Sequence, residues 1–407
     1  MKILFISQYF YPETFRGNDI AFDWAKRGDS VTVICGIPNY PKGSFFKGYG
    51  FLKKRREFVN GVSINRVCVV PRGNGSTFRL LFNYFSFALS ATFYVIFTSC
   101  FKKYDAIFVQ QLSPVLMSYP AVVYKRLHPY VPLFTWVLDL WPESLQAAGN
   151  INNRVVLNFF NYFVKLEYRK SDLILMSSNS FGDSICKKGE FRDKLLYFPN
   201  WAEDIFSEQH NELDDIPKLP EGFKVMFAGN VGESQDFESI MRAAELLRNE
   251  KDIKFIIVGD GRKKGWVEQY VKSHNLEETV YLLGRWPLKI MPDLFAKADV
   301  MLVSLKDEQI FSLTAPAKIQ AYMQSKKPII AMLNGEGAEI IKKSNCGVTV
   351  MAGDARALAT AIKDLCVLDK KELHMMGENG YDFCEINFSK SLLLNRLYDI
   401  VSRFKNN

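Results

Sequence analysis

Short apolar runs rich in Val, Ile and Phe alternate with longer amphipathic stretches along almost the whole chain. In the first half the runs are KILFIS (2–7), SVTVIC (30–35), SINRVCVV (63–70), DAIFVQ (105–110), LFTWVL (133–138) and DLILMS (172–177). In the second they are FKVMFAG (223–229), IKFIIVG (253–259), VYLLG (280–284), DVMLVSL (299–305), KPIIAML (327–333) and GVTVM (347–351). Each is strand-length and too evenly apolar to leave one face in water, so it reads as a strand covered on both sides. Helical stretches such as Asp236–Asn249 and Ala355–Leu368 lie between most of them. This alternation predicts an α/β chain with parallel sheets, and two successive sets predict two doubly wound, Rossmann-like domains. Ligand sites are then expected at the strands' carboxyl ends and between the domains.

The periodicity lapses near 200–222, where FPNWAEDIFSEQHNELDDIPKLPEG brings acidic residues, prolines and a glycine. The expected division is a first domain over 1–205, a second over 206–388 and a terminal segment over 389–407. The last carries a helix, roughly Lys390–Phe404, that packs back on the first domain. From Leu80 to Phe101 no residue is charged, and Arg79 and Lys102-Lys103 flank the stretch. Its length would suit a membrane span. A single crossing, however, would put strands of one sheet on opposite sides of the bilayer. That leaves a helix packed in the protein or one lying in the membrane interface, and Phe82, Tyr84, Phe85, Phe87, Phe93, Tyr94 and Phe97 with the basic flanks favour the interface.

Composition adds three things. With 407 residues, 48% hydrophobic and 24% charged, the chain is a folded protein of two domains rather than a disordered one. Its cysteines (35, 68, 100, 186, 346, 366, 384) show no paired spacing, which argues against a disulfide framework and a zinc site. The start MKILFIS runs straight into a strand without a signal-peptide pattern, so a reducing, cytoplasmic setting is expected. Residues 1–205 hold 25 Lys/Arg against 15 Asp/Glu, a net +10, while the remainder nets −2. A basic first half suggests a polyanionic partner, nucleic acid or an anionic membrane surface. The run Lys53-Lys54-Arg55-Arg56 fits either such a contact or a solvated loop.

Several turns carry candidate chemistry. After the first strand, QYFYPETFRGN places Arg16, Gly17 and Asn18 where a helix begins, so that backbone amides can approach a ligand and Arg16 can pair with phosphate or carboxylate; an ordinary loop is the plain alternative. The second set opens likewise on FAGNVGESQ, with Gly229, Asn230, Gly232 and Gln235. VGDGRKKG (258–265) falls one residue short of the dinucleotide fingerprint and lacks an acidic ribose partner, though Arg262 can still reach a phosphate. WVLDLWPE (136–143) puts Asp139 and Glu143 at a strand end, either on a ligand or capping the next helix. SLTAPAKIQ (312–320) offers hydroxyls, loop amides and Lys318 as a cradle for a diphosphate.

Taken in order, FISQYFYPET-RGN, WVLDLWPES, FPNWAE, FAGNVGESQ, VGDG and TAPAKIQAYMQSKKPIIA resemble the family-4 retaining glycosyltransferases from residue 1 to the terminal helix. Within these the chain is similar to the WbuB-like branch, associated with amino-sugar transfer in O-antigen and capsule assembly. The resemblance implies the GT-B fold, two such domains facing across a cleft. It implies Gly17 beside the donor phosphates, Lys318 on the diphosphate, Asp139 near the reacting sugar, and Arg285 and Trp286 near the base. Thr314 and Gln320 belong to the same donor loop, with Gln320 a candidate for a ribose contact. Retention of configuration without a metal or other cofactor is implied as well, a donor phosphate oxygen helping to deprotonate the acceptor. The partners implied are a UDP-sugar, an undecaprenyl-diphosphate-linked saccharide and the anionic cytoplasmic face of the inner membrane, rather than nucleic acid. The chain departs from the family where Asn230 and Gln235 replace an Arg and a Lys, and where Leu313 and Ala321 stand in place of a glutamate pair. A non-hydrolysing sugar-nucleotide epimerase on the same fold and a catalytically silent scaffold are the competing readings.

Overall fold

A computed structural model gives the fold and describes residues 1–149, 152–206 and 216–404. The chain divides into two compact units, one of Met1–Pro199 with Leu393–Asn407 and one of Asn200–Leu392.

In chain order the first unit comprises β1 (Lys2–Ile6), α1 (Arg16–Lys26), β2 (Ser30–Gly36), β3 (Arg56–Val59), β4 (Val62–Val67), α2 (Thr77–Ser99) and β5 (Ala106–Gln111). It continues with α3 (Tyr119–Leu127), β6 (Leu133–Val137), α4 (Glu143–Gly149), α5 (Arg154–Lys170), β7 (Leu173–Met176), α6 (Phe181–Cys186) and β8 (Leu195–Tyr197). The eight strands form one sheet in the order β3-β4-β2-β1-β5-β6-β7-β8, parallel except for β3. From β1 the chain builds outward to β4 and β3, then returns to the other side of β1 as β5. The order reverses between β1 and β5, and loops at their carboxyl ends therefore part to leave a crevice.

The second unit runs β9 (Phe223–Ala228), α7 (Phe237–Leu246), β10 (Ile253–Val258), α8 (Lys264–Ser273), β11 (Val280–Gly284), α9 (Met291–Ala296) and β12 (Val300–Ser304). Then come α10 (Gln309–Ser312), α11 (Lys318–Gln324), β13 (Ile329–Met332), α12 (Glu336–Ser344), β14 (Gly347–Val350), α13 (Ala355–Cys366) and α14 (Lys370–Phe388). Its sheet is parallel throughout, in the order β11-β10-β9-β12-β13-β14, and reverses between β9 and β12. The last helix, α15 (Lys390–Arg403), belongs to the first unit from Leu393 on. There Arg27 lies over the Tyr398 ring and Phe404 packs edge-on against Phe134, 5.1 Å between centroids.

The apolar runs all become strands, within three residues at their ends. Two strands lie outside them. β3 falls partly in the basic run and alternates exposed with half-buried residues, and β8 is three half-buried residues at the other edge. The basic run is consequently not one free patch. Arg55 donates to the carbonyls of Arg66 (2.6 Å) and Phe51 (2.9 Å), and Lys54 pairs with Glu57 (3.3 Å).

Helix α2 connects two strands of one sheet, so it lies along the protein. Asn83, Phe87, Ala91, Val95 and Ser99, four residues apart, form a buried stripe. A polar seam runs beside it. Asn83 accepts from the Gln8 amide (2.7 Å) and donates to the Val70 carbonyl (2.6 Å), Ser86 accepts from the Val70 N–H, Ser90 donates to the Cys68 carbonyl, and the Tyr94 hydroxyl donates to Asn65 (2.8 Å). On the outer face Phe78, Phe82, Phe85, Leu89, Phe93, Ile96 and Phe97 are exposed, Phe78 at 77% and Phe93 at 71%. Phe85 meets the exposed Phe159 of α5, and Phe51 and Leu52 stand out of the loop before β3.

Candidate functional site

In the second unit the site forms where β9 and β10 end. Gly229 has φ +139, and a side chain on it would meet the Lys318 Nζ at 3.2 Å, so the backbone here lies open to the ammonium group. A Cβ on Gly259 would lie 1.8 Å from the Gly229 carbonyl oxygen, so glycine is required for the two turns to pack. Backbone bonds lock them together: Gly229 donates to Val258 O (2.9 Å), Val231 to Asp260 O (3.0 Å) and Lys263 to Val231 O (3.0 Å). Asp236, at φ 47, then turns the chain into α7 and caps it.

Lys318 opens α11. Its half-buried ammonium donates to Gln235 Oε1 (2.9 Å) and sits 3.9 Å from the centre of the Phe227 ring. Neither neighbour carries a negative charge, and among the described residues Lys318 makes no ion pair. Burial pushes its pKa down to about 7. The Gln235 carbonyl is fixed by the Ser304 hydroxyl (2.6 Å). Beside this pair Glu233 bridges Lys263 (3.2 Å) and Lys306 (3.1 Å), and Lys263 also reaches Glu238 (2.6 Å). The turn thus holds one lysine free of carboxylates and two already matched.

In the first unit the loops after β1, β2, β4, β5 and β6 converge. Asp139 accepts from the Ser113 and Ser144 hydroxyls and from the Trp141 indole N–H (3.3 Å), while its backbone carbonyl takes the Gln111 amide (3.0 Å). Burial raises its pKa, and the two hydroxyls hold part of that rise back. Glu13 is buried and accepts the backbone N–H groups of Asn39 (2.7 Å) and Tyr40 (2.6 Å); burial takes its pKa up to about 7. Arg72 donates to the Tyr9 hydroxyl (2.6 Å) and is faced by the Tyr9, Tyr40 and Tyr84 rings at 5.8, 5.2 and 5.9 Å.

The anticipated site residues therefore fall into different groups. Gly229, Gly232, Gln235 and Lys318 gather at one turn, with Asn230 exposed above Gly232 and Arg262 exposed on the adjoining loop. Others have partners within the protein. Gly17 is fixed by packing, because a Cβ there would lie 2.1 Å from Gln110 Oε1; Asn18 is buried and donates to the Glu13 carbonyl (2.7 Å). Glu143 accepts at Oε1 from Lys188 and Ser184 (3.0 Å), of α6 and its C-terminal turn, and its buried Oε2 has no partner among the described residues. Gln320 is buried and its amide donates to the carbonyls of Ala317 (3.0 Å) and Pro316 (3.2 Å). Thr314 donates to Ile310 O (3.0 Å), Trp286 donates to Leu283 O (3.0 Å), Arg285 is exposed, and Arg16 begins α1. The pattern of motifs missed Lys263, Lys306, Phe227, Ser113 and the Arg72 group. Their partners lie tens of residues away, and the one available signal was the aromatic density of QYFYPE.

Residues 222–367 match the family model described as Glycosyl transferases group 1. The chain is 32% identical to the probable glycosyltransferase WbjE of Pseudomonas aeruginosa over 278 residues, which are 64% of this chain and 65% of that one, just under two thirds. It is 27% identical to the putative colanic acid biosynthesis glycosyl transferase WcaI of Escherichia coli over 332 residues, covering 75% and 77%. A third relative, 28% identical over 163 residues (39% and 42%), is the N-acetylgalactosamine-N,N'-diacetylbacillosaminyl-diphospho-undecaprenol 4-alpha-N-acetylgalactosaminyltransferase of Campylobacter jejuni. Among solved structures Anabaena HepE in complex with UDP superposes with a TM-score of 0.67 at 14% identity, over 99% of this chain and all of that one. The second unit thus resembles the group 1 glycosyl transferases, the whole chain is similar to these glycosyltransferases, and its two Rossmann-like units have the GT-B fold.

Proposed function

We propose that the chain is a retaining glycosyltransferase that needs no metal ion and takes an N-acetylated amino sugar from a UDP donor. The acceptor is an undecaprenyl-diphosphate-linked saccharide of O-antigen or capsule synthesis. The reading rests on Lys318: a half-buried ammonium without a carboxylate partner, beside the open backbone of Gly229, is short of one anion. A diphosphate supplies it, and the lysine in turn meets the charge that grows there as the sugar leaves. The acceptor oxygen forms its bond to the anomeric carbon on the face from which the diphosphate departs. Its proton passes to the departing phosphate oxygen. Asp139, oriented by Ser113, Ser144 and Trp141, is the carboxylate available to the reacting sugars in the first unit.

The same reading places the protein on the cytoplasmic face of the inner membrane without crossing it. The outer face of α2 with Phe51, Leu52 and Phe159 provides apolar area, and the exposed Lys53, Arg56, Arg79, Lys102 and Lys103 provide charge for anionic headgroups. Calorimetric titration tests the donor: UDP binds more tightly than GDP or ADP, and equal affinity for all three removes the base assignment. The anomeric configuration of the product, read by proton NMR, tests retention.

A further inference from the structure

The Arg72 group belongs to the first unit and has no part in the chemistry so far described. Arg72 sits four residues before the Ser76 N-cap of α2, at the carboxyl end of β4. Its guanidinium is half-buried, bonded to the Tyr9 hydroxyl and faced by three tyrosine rings. Among the described residues it forms no ion pair with a carboxylate. A cation so placed has lost part of its hydration without gaining a counter-charge, which leaves a place for an anion. The loop is held ready for it. The Arg72 backbone N–H donates to Asn39 Oδ1 (3.2 Å), Asn39 in turn donates to Glu13, and Gly73 donates to the Gly43 carbonyl (2.8 Å).

One wall of this group comes from α2 itself. Tyr84 projects from the second turn of the helix whose outer face is apolar for the rest of its length. A single rigid element therefore carries an aromatic wall of a cationic site near one end and an exposed aromatic strip along its outer face. That combination fits an amphiphile with an anionic group next to a long apolar chain.

We propose that Arg72, with Tyr9, Tyr40 and Tyr84, is a binding subsite for the phosphoryl group of a lipid phosphate, whose hydrocarbon tail lies along the outer face of α2. This rests on the glycosyltransferase reading, in which the lipid phosphate is the anchor of the acceptor. The guanidinium offers the charge and paired N–H groups that match phosphate oxygens. Burial takes the nearby Glu13 and Asp139 toward their neutral forms, so they offset the Arg72 charge less than two ionised carboxylates would.

The test is titration of the full chain, saturated with UDP to occupy the donor turn, with farnesyl diphosphate, farnesol and inorganic pyrophosphate. Farnesyl diphosphate binds more tightly than either of the others. Arg72→Ala weakens it by roughly ten- to a hundredfold, Tyr40→Ala weakens it severalfold, and neither changes the affinity for UDP. Tyr40 is 41% exposed, so its truncation leaves the fold intact even where Arg72→Ala does not. The proposal is overturned if farnesol binds as well as the diphosphate, if pyrophosphate alone binds as well, or if Tyr40→Ala and Arg72→Ala both bind like the parent. Loss of UDP binding in the parent instead counts against the donor reading. Comparison of parent with the Arg72 and Tyr40 variants then tests the subsite without UDP.

Discussion

Burial strips water from the Lys318 ammonium, and an aromatic ring face and a neutral amide oxygen replace only part of that hydration, which brings its pKa down to about 7. Above that pH the free site must take up a proton before it can meet a diphosphate. UDP affinity therefore declines as pH rises past 7, and calorimetry at pH 8 in buffers of different ionisation heat shows proton uptake that Lys318→Met abolishes. The sign for folding is the opposite. The unfolded lysine titrates near 10.5, so between about 7 and 10.5 the unfolded chain holds more protons and this residue favours the fold increasingly as pH rises. Lys318→Ala, measured by turnover, costs about 2–4 kcal/mol at the transition state, roughly thirtyfold to a thousandfold, with the fold retained; near-normal turnover would assign the lysine to structure. Lys318 could be read from the chain because its loop is local. Lys306 and Lys263 could not, since what they match is Glu233, and only the packing of three separate turns brings them to it.

Helix α1 shows why a glycine in a promising turn is weak evidence for a ligand. Its second residue faces Gln110 of β5 at a distance that admits no methyl group. Gly17→Ala is expected to lower stability in denaturant titration by about 1–3 kcal/mol through overpacking. In a Gln110→Ala background most of that cost disappears; if it persists, the glycine serves something other than this contact. Strands buried on both faces were readable because each residue repeats the same instruction. The edge strands β3 and β8 carry no such repetition, and β3 is hidden among lysines and arginines. Helix α2 was readable in part: its lack of charge marked it, but Asn83, Ser86, Ser90 and Tyr94, which decide the inner face, look incidental in a row of letters.

Over the molecule as a whole, the net +10 of residues 1–205, against −2 for the remainder, bears on the proposed membrane attachment. In flotation with liposomes, binding should require anionic lipid and weaken as salt rises, each basic residue near the surface contributing about 1 kcal/mol. Changing Phe82, Phe85 and Phe93 to Ser should release the protein while UDP affinity is unchanged; a parent protein that ignores every liposome would count against the membrane placement. The exposed strip of α2 also bears on synthesis. As it leaves the ribosome this stretch is long and apolar enough to pass for a membrane anchor. Yet every partner of its polar seam has already been made: Gln8, Asn65, Cys68 and Val70 all precede it. The nascent helix can dock at once on β2 and β4, before the strands of the other half of the sheet exist. On the peripheral reading proposed above, order of emergence would work with composition to keep this helix from crossing the bilayer.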